Sequence, residues 1–151
     1  MNLTQDLARI KTIFIDTAPI IYYIEANSQF GGLVREVIHA LQSSHLIAFT
    51  SVITLTEVLP NPIKAGNIIL AKRFVDFLKY GKNLSLLEIS SDIAEKAGIL
   101  RGKYPDLKTM DAIQISAAMD IGADAFLTND LRLKRINEVN IIVLNDYLKE
   151  E

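Results

Sequence analysis

Five short runs of this chain are almost wholly apolar: "TIFID" (12–16), "LIAFT" (46–50), "LSLLEI" (84–89), "DAFLT" (124–128) and "NIIVL" (140–144). A strand with one wet face alternates apolar and polar residues. Continuous apolar runs of this length suit strands buried on both faces, which occur in parallel sheets covered by helices. The stretches between them are long enough for helices and carry helical signals. "APIIYYIE" (18–25) reads as a short helix. In 33–43, Leu33, Val34, Val37, Ile38 and Leu41 recur at spacings of three and four, forming one core-facing stripe. Ser51 is a candidate N-cap for a helix through about Leu59, Ser90-Ser91-Asp92 for one over 92–103, and Thr109 for one over 110–121 that ends at Gly122. A further helix is expected over 67–80, and "PNPIKAGN" reads as the clearest loop. The expectation is an α/β fold around a mostly parallel five-stranded sheet, with right-handed crossovers placing the strand ends on one edge.

At 151 residues the chain is expected to form a single domain, 1–151. Half of its residues are apolar and 23% are charged, which excludes a disordered chain. There is no cysteine, so disulfides, thiolate metal sites and cysteine nucleophiles are excluded, and a reducing compartment is suited. The most apolar stretch, "APIIYYIEA", is broken by Glu25, and no signal-peptide pattern opens the chain; a cytoplasmic protein without a membrane span is expected. The net charge of −2 lacks the basic excess of a non-specific nucleic-acid coat, but leaves room for an acidic centre among scattered cations.

Four acids stand out by position. Asp16 ends the first strand, Glu57 lies on the helix after the second, Asp111 opens the helix "TMDAIQISAAMDIG", and Asp130 follows the fourth strand in "LTND". Three of them fall at a strand's carboxyl end or a helix start, the edge of an open parallel sheet where ligands bind. Each has an ordinary alternative. Asp111 suits a helix dipole, Asp16 and Asp130 suit caps or turns, and Glu57 is the hardest to dismiss because its neighbours are mainly apolar. Four carboxylates on one edge repel unless a cation sits among them, so the joint pattern favours a metal. Gln114, three residues after Asp111, shares its face, which would set one carboxylate and one amide together in an apolar surface.

The stretches "FIDTAPIIYYIE" (14–25), "TSVITLTEVL" (50–59), "KTMDAIQISAAM" (108–119) and "GADAFLTND" (122–130), with "SSDIAEKAGILRGKY" between them, resemble the PIN domain, and within it the VapC-type toxin ribonucleases. The resemblance runs from about Ile13 to Asp130. It implies a PIN-like three-layer α/β/α fold and a Mg²⁺- or Mn²⁺-dependent ribonuclease holding one or two ions. Asp16, Glu57, Asp111 and Asp130 would be the acidic quartet, with Thr17 and Thr128 orienting ligands or water beside it. Partners implied are an RNA substrate, a cognate antitoxin and a second copy of the chain. Two departures stand out: residues 1–11 extend ahead of the first strand, and "LRLKRI" after "TND" has no aromatic where many relatives have phenylalanine.

Hard oxygen ligands suit Mg²⁺, which acidifies a bound water and polarises a phosphate. Asp16 and Asp111 are expected to make the firmest contact, with Glu57 and Asp130 completing the site. Other hydrolytic chemistries fit poorly. His39 and His45 lie away from every acid, and no G-x-S-x-G, P-loop or G-x-G-x-x-G is present. An aspartyl phosphatase would want a second aspartate where Ala18 stands. A PIN-like module that binds RNA or protein without cleaving is the main alternative, and a small phosphatase a lesser one. Arg101, Lys103, Lys108, Arg132 and Lys134 are candidate substrate contacts. Tyr22, Tyr23 and Tyr80 are read as core packing in preference to base stacking.

Overall fold

A computed structural model describes residues 2–43 and 45–149. The strands are β1 (Thr12–Ile15), β2 (Ile47–Ser51), β3 (Leu84–Leu87), β4 (Ala125–Thr128) and β5 (Ile141–Val143). They form one sheet in the order β3-β2-β1-β4-β5, and every pairing is parallel. The helices are α1 (Leu3–Leu7), α2 (Thr17–Ile24), α3 (Gly31–Gln42), α4 (Val52–Val58), α5 (Pro60–Lys64), α6 (Ile68–Tyr80), α7 (Ser91–Lys103) and α8 (Thr109–Ile121). Single 3₁₀ turns follow β4 at Leu131–Arg135 and β5 at Leu144–Tyr147.

Alternation along the buried strands divides the core in two. Ile13, Ile15, Ala48, Ala125 and Leu127 face one side and pack with residues of α1, α2, α3, α4 and α6. Phe14 and Phe126 face the other, among Ile93, Ala97 and Leu100 of α7 and Ala112 and Ile115 of α8. Their rings stack with centroids 5.4 Å apart, directly across the β1–β4 pairing. The result is three layers, α/β/α, as expected. No helix among the described residues is long and apolar enough to cross a membrane.

Several boundaries differ from the sequence reading. "PNPIKAGN" is not all loop: Pro60 and Pro62 lie in the first turn of α5, where backbone N–H groups have no intrahelical partner to lose. The turn that follows is made by Gly66, at φ 68°. Residues 2–11 precede the first strand, as expected, and pack on the domain: Leu3 and Leu7 of α1 are buried, α1 contacts α3, and Tyr147 donates to Asp6 at 2.5 Å. Helix α8 starts at Thr109 itself, with Lys108 at the cap position and no side-chain cap bond. Its end is as expected, with Gly122 left-handed at φ 69°.

The sheet order sets where a site can form. The chain winds outward from β1 through β2 to β3, then returns to β1's other side as β4. The reversal lies between β1 and β4, and ligands bind in open α/β sheets at the carboxyl ends of strands beside such a switch.

Candidate active site

Asp16 is held at that switch by both its backbone and its side chain. Its N–H donates to Leu127 O at 2.9 Å, continuing the β1–β4 ladder by one residue. Oδ1 accepts the N–H of Thr17 at 2.9 Å, capping α2, and Oδ2 accepts the Thr128 hydroxyl at 2.8 Å. The ordinary reading holds, since Asp16 caps α2 through one oxygen, and the same side chain lines a groove. Burial pushes the Asp16 carboxyl up from 3.8 to about 6, against the lowering by the Thr17 N–H and Thr128 hydroxyl; the charges of Asp111 and Glu57 push it further up.

All four acids line one groove of about 580 Å³, together with Thr17, Thr128, Tyr22 and Asn129. Asp111 reaches it from the first turn of α8, half-buried. Its carboxyl is also pushed up, by burial and by the charges of Asp130 and Glu57, while Lys108 and Arg132 oppose this. Asp130 caps the 3₁₀ turn through Arg132 N–H and is gripped by the same residue's guanidinium, Nε at 3.0 Å and Nη2 at 2.8 Å. Hydrogen bonding to that guanidinium holds the Asp130 carboxyl below the usual range.

Glu57 departs from expectation. It is exposed, because the short helix α4 buries one stripe at Thr54 and Val58 and leaves Glu57 at its edge. It is still aimed at the groove, since Thr17 Oγ1 donates to its Oε1 at 2.8 Å. Gln114 also departs: it does not join Asp111 but turns inward, accepting from Ser51 and donating to Thr54 Oγ1 at 2.7 Å. The quartet lines an open groove and makes no closed cage. Among the described residues no three His, Asp or Glu side chains are drawn together tightly enough to hold an ion alone. Mg²⁺ keeps several waters and is commonly held by one or two carboxylates plus substrate phosphates. The hard-oxygen donor set fits a divalent cation, its Asp16 and Asp111 carboxyls raised first by burial and further by neighbouring acids.

Of the five candidate cations, the fold brings two to the site. Arg101 donates to Leu107 O at 3.3 Å, Lys103 pairs with Glu138 at 3.3 Å, and Lys134 pairs with Asp146. Lys108 and Arg132 line a second groove of about 180 Å³ that shares Asp111 and Asp130 with the first. Arg135 lies there too, bonded to Asp106 at 2.6 Å, and was not singled out in the sequence. Tyr22 packs on Phe30, with centroids 5.0 Å apart, and its hydroxyl accepts from Asn129 at the groove wall. Tyr23 packs on Phe77, but Tyr80 is exposed at the end of α6, so the core reading fails for it. His39 and His45 line a separate groove between α1 and α3.

Known proteins agree with this architecture. A chain of VapBC2 from Rickettsia felis, solved with a promoter DNA fragment, matches with a TM-score of 0.68 at 18% identity over 87% of this chain and 98% of that one. A chain of DNA-bound VapBC from Salmonella typhimurium matches at 0.65 and 22% identity, over 89% and 99%. VapC20 of Mycobacterium tuberculosis, described as a Sarcin-Ricin loop cleaving toxin, matches at 0.63 and 16%, over 84% and 98%. These likenesses are of fold. No curated protein matches the chain in sequence. The family model of the PIN domain matches residues 13–139, which takes in all four acids and, but for Thr12, the first four strands, leaving β5 outside, and the chain belongs to the PIN domain family.

Proposed function

We propose that this chain is a divalent-metal-dependent endoribonuclease, the toxin of a toxin–antitoxin pair. The observation that carries the reading is the convergence of Asp16, Glu57, Asp111 and Asp130, from four separate segments, on one groove at the sheet's switch point. Membership of the PIN family and fold likeness to VapC chains, one of them described as cleaving the Sarcin-Ricin loop, support it. The likeness to chains solved as VapBC complexes supports a cognate antitoxin and a homodimer.

Asp16 and Asp111 would hold the ion most firmly, and Glu57 and Asp130 would complete one or two sites. Bound Mg²⁺ or Mn²⁺ supplies an acidified water and a Lewis acid for the phosphoryl oxygens. The protein's own part is orientation. Thr17 N–H and the Thr128 hydroxyl fix both Asp16 oxygens, and the Thr17 hydroxyl fixes one oxygen of Glu57. Lys108 makes no side-chain hydrogen bond or ion pair among the described residues and lies near enough for its charge to act on Asp111 and Asp130, which suits contact with a phosphate that enters beside them. Arg132 would share that contact once it releases Asp130.

The test is a digest of total RNA with Mg²⁺ or Mn²⁺, the parent beside Asp16→Asn. Metal-dependent cleavage by the parent alone is expected; equal cleavage by the variant would overturn the assignment. One observation favours a second reading, a PIN-like module that binds without cutting: Arg132 engages both oxygens of Asp130. RNA retained by the protein and left intact under every divalent ion would decide for it.

A further inference from the structure

Behind the acids lies a buried polar chain whose hydroxyl protons can be traced in one direction. Thr50, Ser51 and Thr54 are fully buried and Gln114 is 1% exposed. Ser51 Oγ donates to Gln114 Oε1, so the amide presents its Nε2 to Thr54 Oγ1 at 2.7 Å. Thr50 Oγ1 donates to the same Thr54 oxygen at 2.9 Å. A hydroxyl has two acceptor positions and one proton. Both acceptor positions of Thr54 are therefore filled, and its proton must go to Thr17 Oγ1, 3.1 Å away. Thr17 in turn has one proton, and it goes to Glu57 Oε1 at 2.8 Å. The chain runs one way only, from the sheet and α8 through α4 and α2 to the carboxylate.

We propose that Gln114 is a positioning residue of the metal site, acting through Thr54. With the amide in this orientation, Thr54 cannot take the Thr17 proton, and Thr17 can act towards Glu57 only as a donor. One Glu57 oxygen is thereby committed to the protein. Oε2, which has no partner among the described residues, would be the oxygen left to hold an ion. An exposed glutamate on a short helix otherwise has free side-chain rotamers, and the chain supplies the restraint that burial does not. The inference rests on the quartet being a metal site.

The experiment measures Mn²⁺ affinity of the full chain by titration calorimetry, well below each variant's melting temperature. Gln114→Met and Thr54→Val are expected to weaken Mn²⁺ binding roughly 10- to 100-fold, the usual loss for residues supporting a metal ligand. Thr54→Ser, which keeps the hydroxyl, should bind within about threefold of the parent. In a Glu57→Ala background, Thr54→Val should cause no further loss. Affinities unchanged in Gln114→Met, with only the melting temperature lowered, would reduce the chain to a structural role and overturn the proposal. An undiminished effect of Thr54→Val without Glu57 would overturn it too. Asp16→Asn separates the two failures. If it abolishes Mn²⁺ binding while Gln114→Met does not, only this inference falls. If the parent binds no Mn²⁺, or Asp16→Asn binds as well as the parent, the metal-site reading falls and takes this one with it.

Discussion

Thr128 Oγ1 donates to Asp16 Oδ2 at 2.8 Å, joining residues 112 apart in the chain. The β1–β4 register pairs Ile15 with Leu127, so the next residues of the two strands come level, and their side chains meet at the mouth of the groove. The bond holds a carboxylate in place that burial alone would favour protonating.

The stability of the metal-free protein should therefore fall as pH rises through this group's range. Asp16 has a folded value of about 6 against 3.8 when free, so the folded state binds more protons between those values. Stability contributed by the protonated carboxyl is present below about pH 4 and lost as pH rises through 6, up to roughly 3 kcal/mol. Asp16→Asn should be more stable than the parent at pH 7 without metal, the gain shrinking towards pH 4. Denaturant melts of both proteins at several pH values check this; an equal or greater stability of the parent at pH 7 would contradict it.

Metal should reverse the order. An ion held by ionised Asp16 stabilises the folded parent by mass action, by about 2.7 kcal/mol at a hundredfold excess over Kd. Thermal melts at pH 7 with millimolar Mn²⁺ should show a raised Tm for the parent and little or no rise for Asp16→Asn.

Thr128→Val removes a donor from Asp16 while keeping the shape of the side chain. The Asp16 carboxyl should titrate higher still, and Mn²⁺ binding near pH 6 should suffer more than at pH 8, because protons compete with the ion. A carboxyl-resolved NMR titration and Mn²⁺ affinities at the two pH values provide the readouts.

Arg132→Gln frees Asp130 from its guanidinium. The Asp130 carboxyl should rise towards its ordinary value, since hydrogen bonding to Arg132 is what lowers it. RNA affinity should fall and its dependence on salt weaken, by roughly 0.7 in the slope of log K against log salt if Arg132 meets one phosphate of a single strand. An unchanged slope would remove Arg132 from the substrate contact.

Gly122→Ala tests a position away from the groove. Gly122 ends α8 at φ 69°, and a Cβ there would touch nothing within 4 Å, so only backbone strain is added. A loss of about 1–2 kcal/mol with unchanged Mn²⁺ affinity is expected from chemical melts and calorimetry.

Much of this was legible locally. Apolar runs such as "TIFI" and "AFLT" leave no polar face to water, so a doubly covered sheet follows. Ser51 and Ser90 could be read as caps because each bond stays within three residues. The acids were found by their order and by where their segments end, both local properties. "PNPIKAGN" was misread because its fate depends on a weaker signal, prolines placed in a helix's first turn.

By itself the sequence determined the alternation of strand and helix and the four acids that reach the sheet's edge. Packing alone decided how those acids are held. Glu57 is exposed and tied to Thr17, Gln114 turns from Asp111 to Thr54, and Arg132 rather than Lys134 faces the groove. These pairings are set by which surfaces meet when α2, α4 and α8 close over the end of the sheet. No periodicity of 2 or 3.6 residues carries that information, because hydrogen bonds such as Gln114 to Thr54 span 60 residues and form only after the layers have docked.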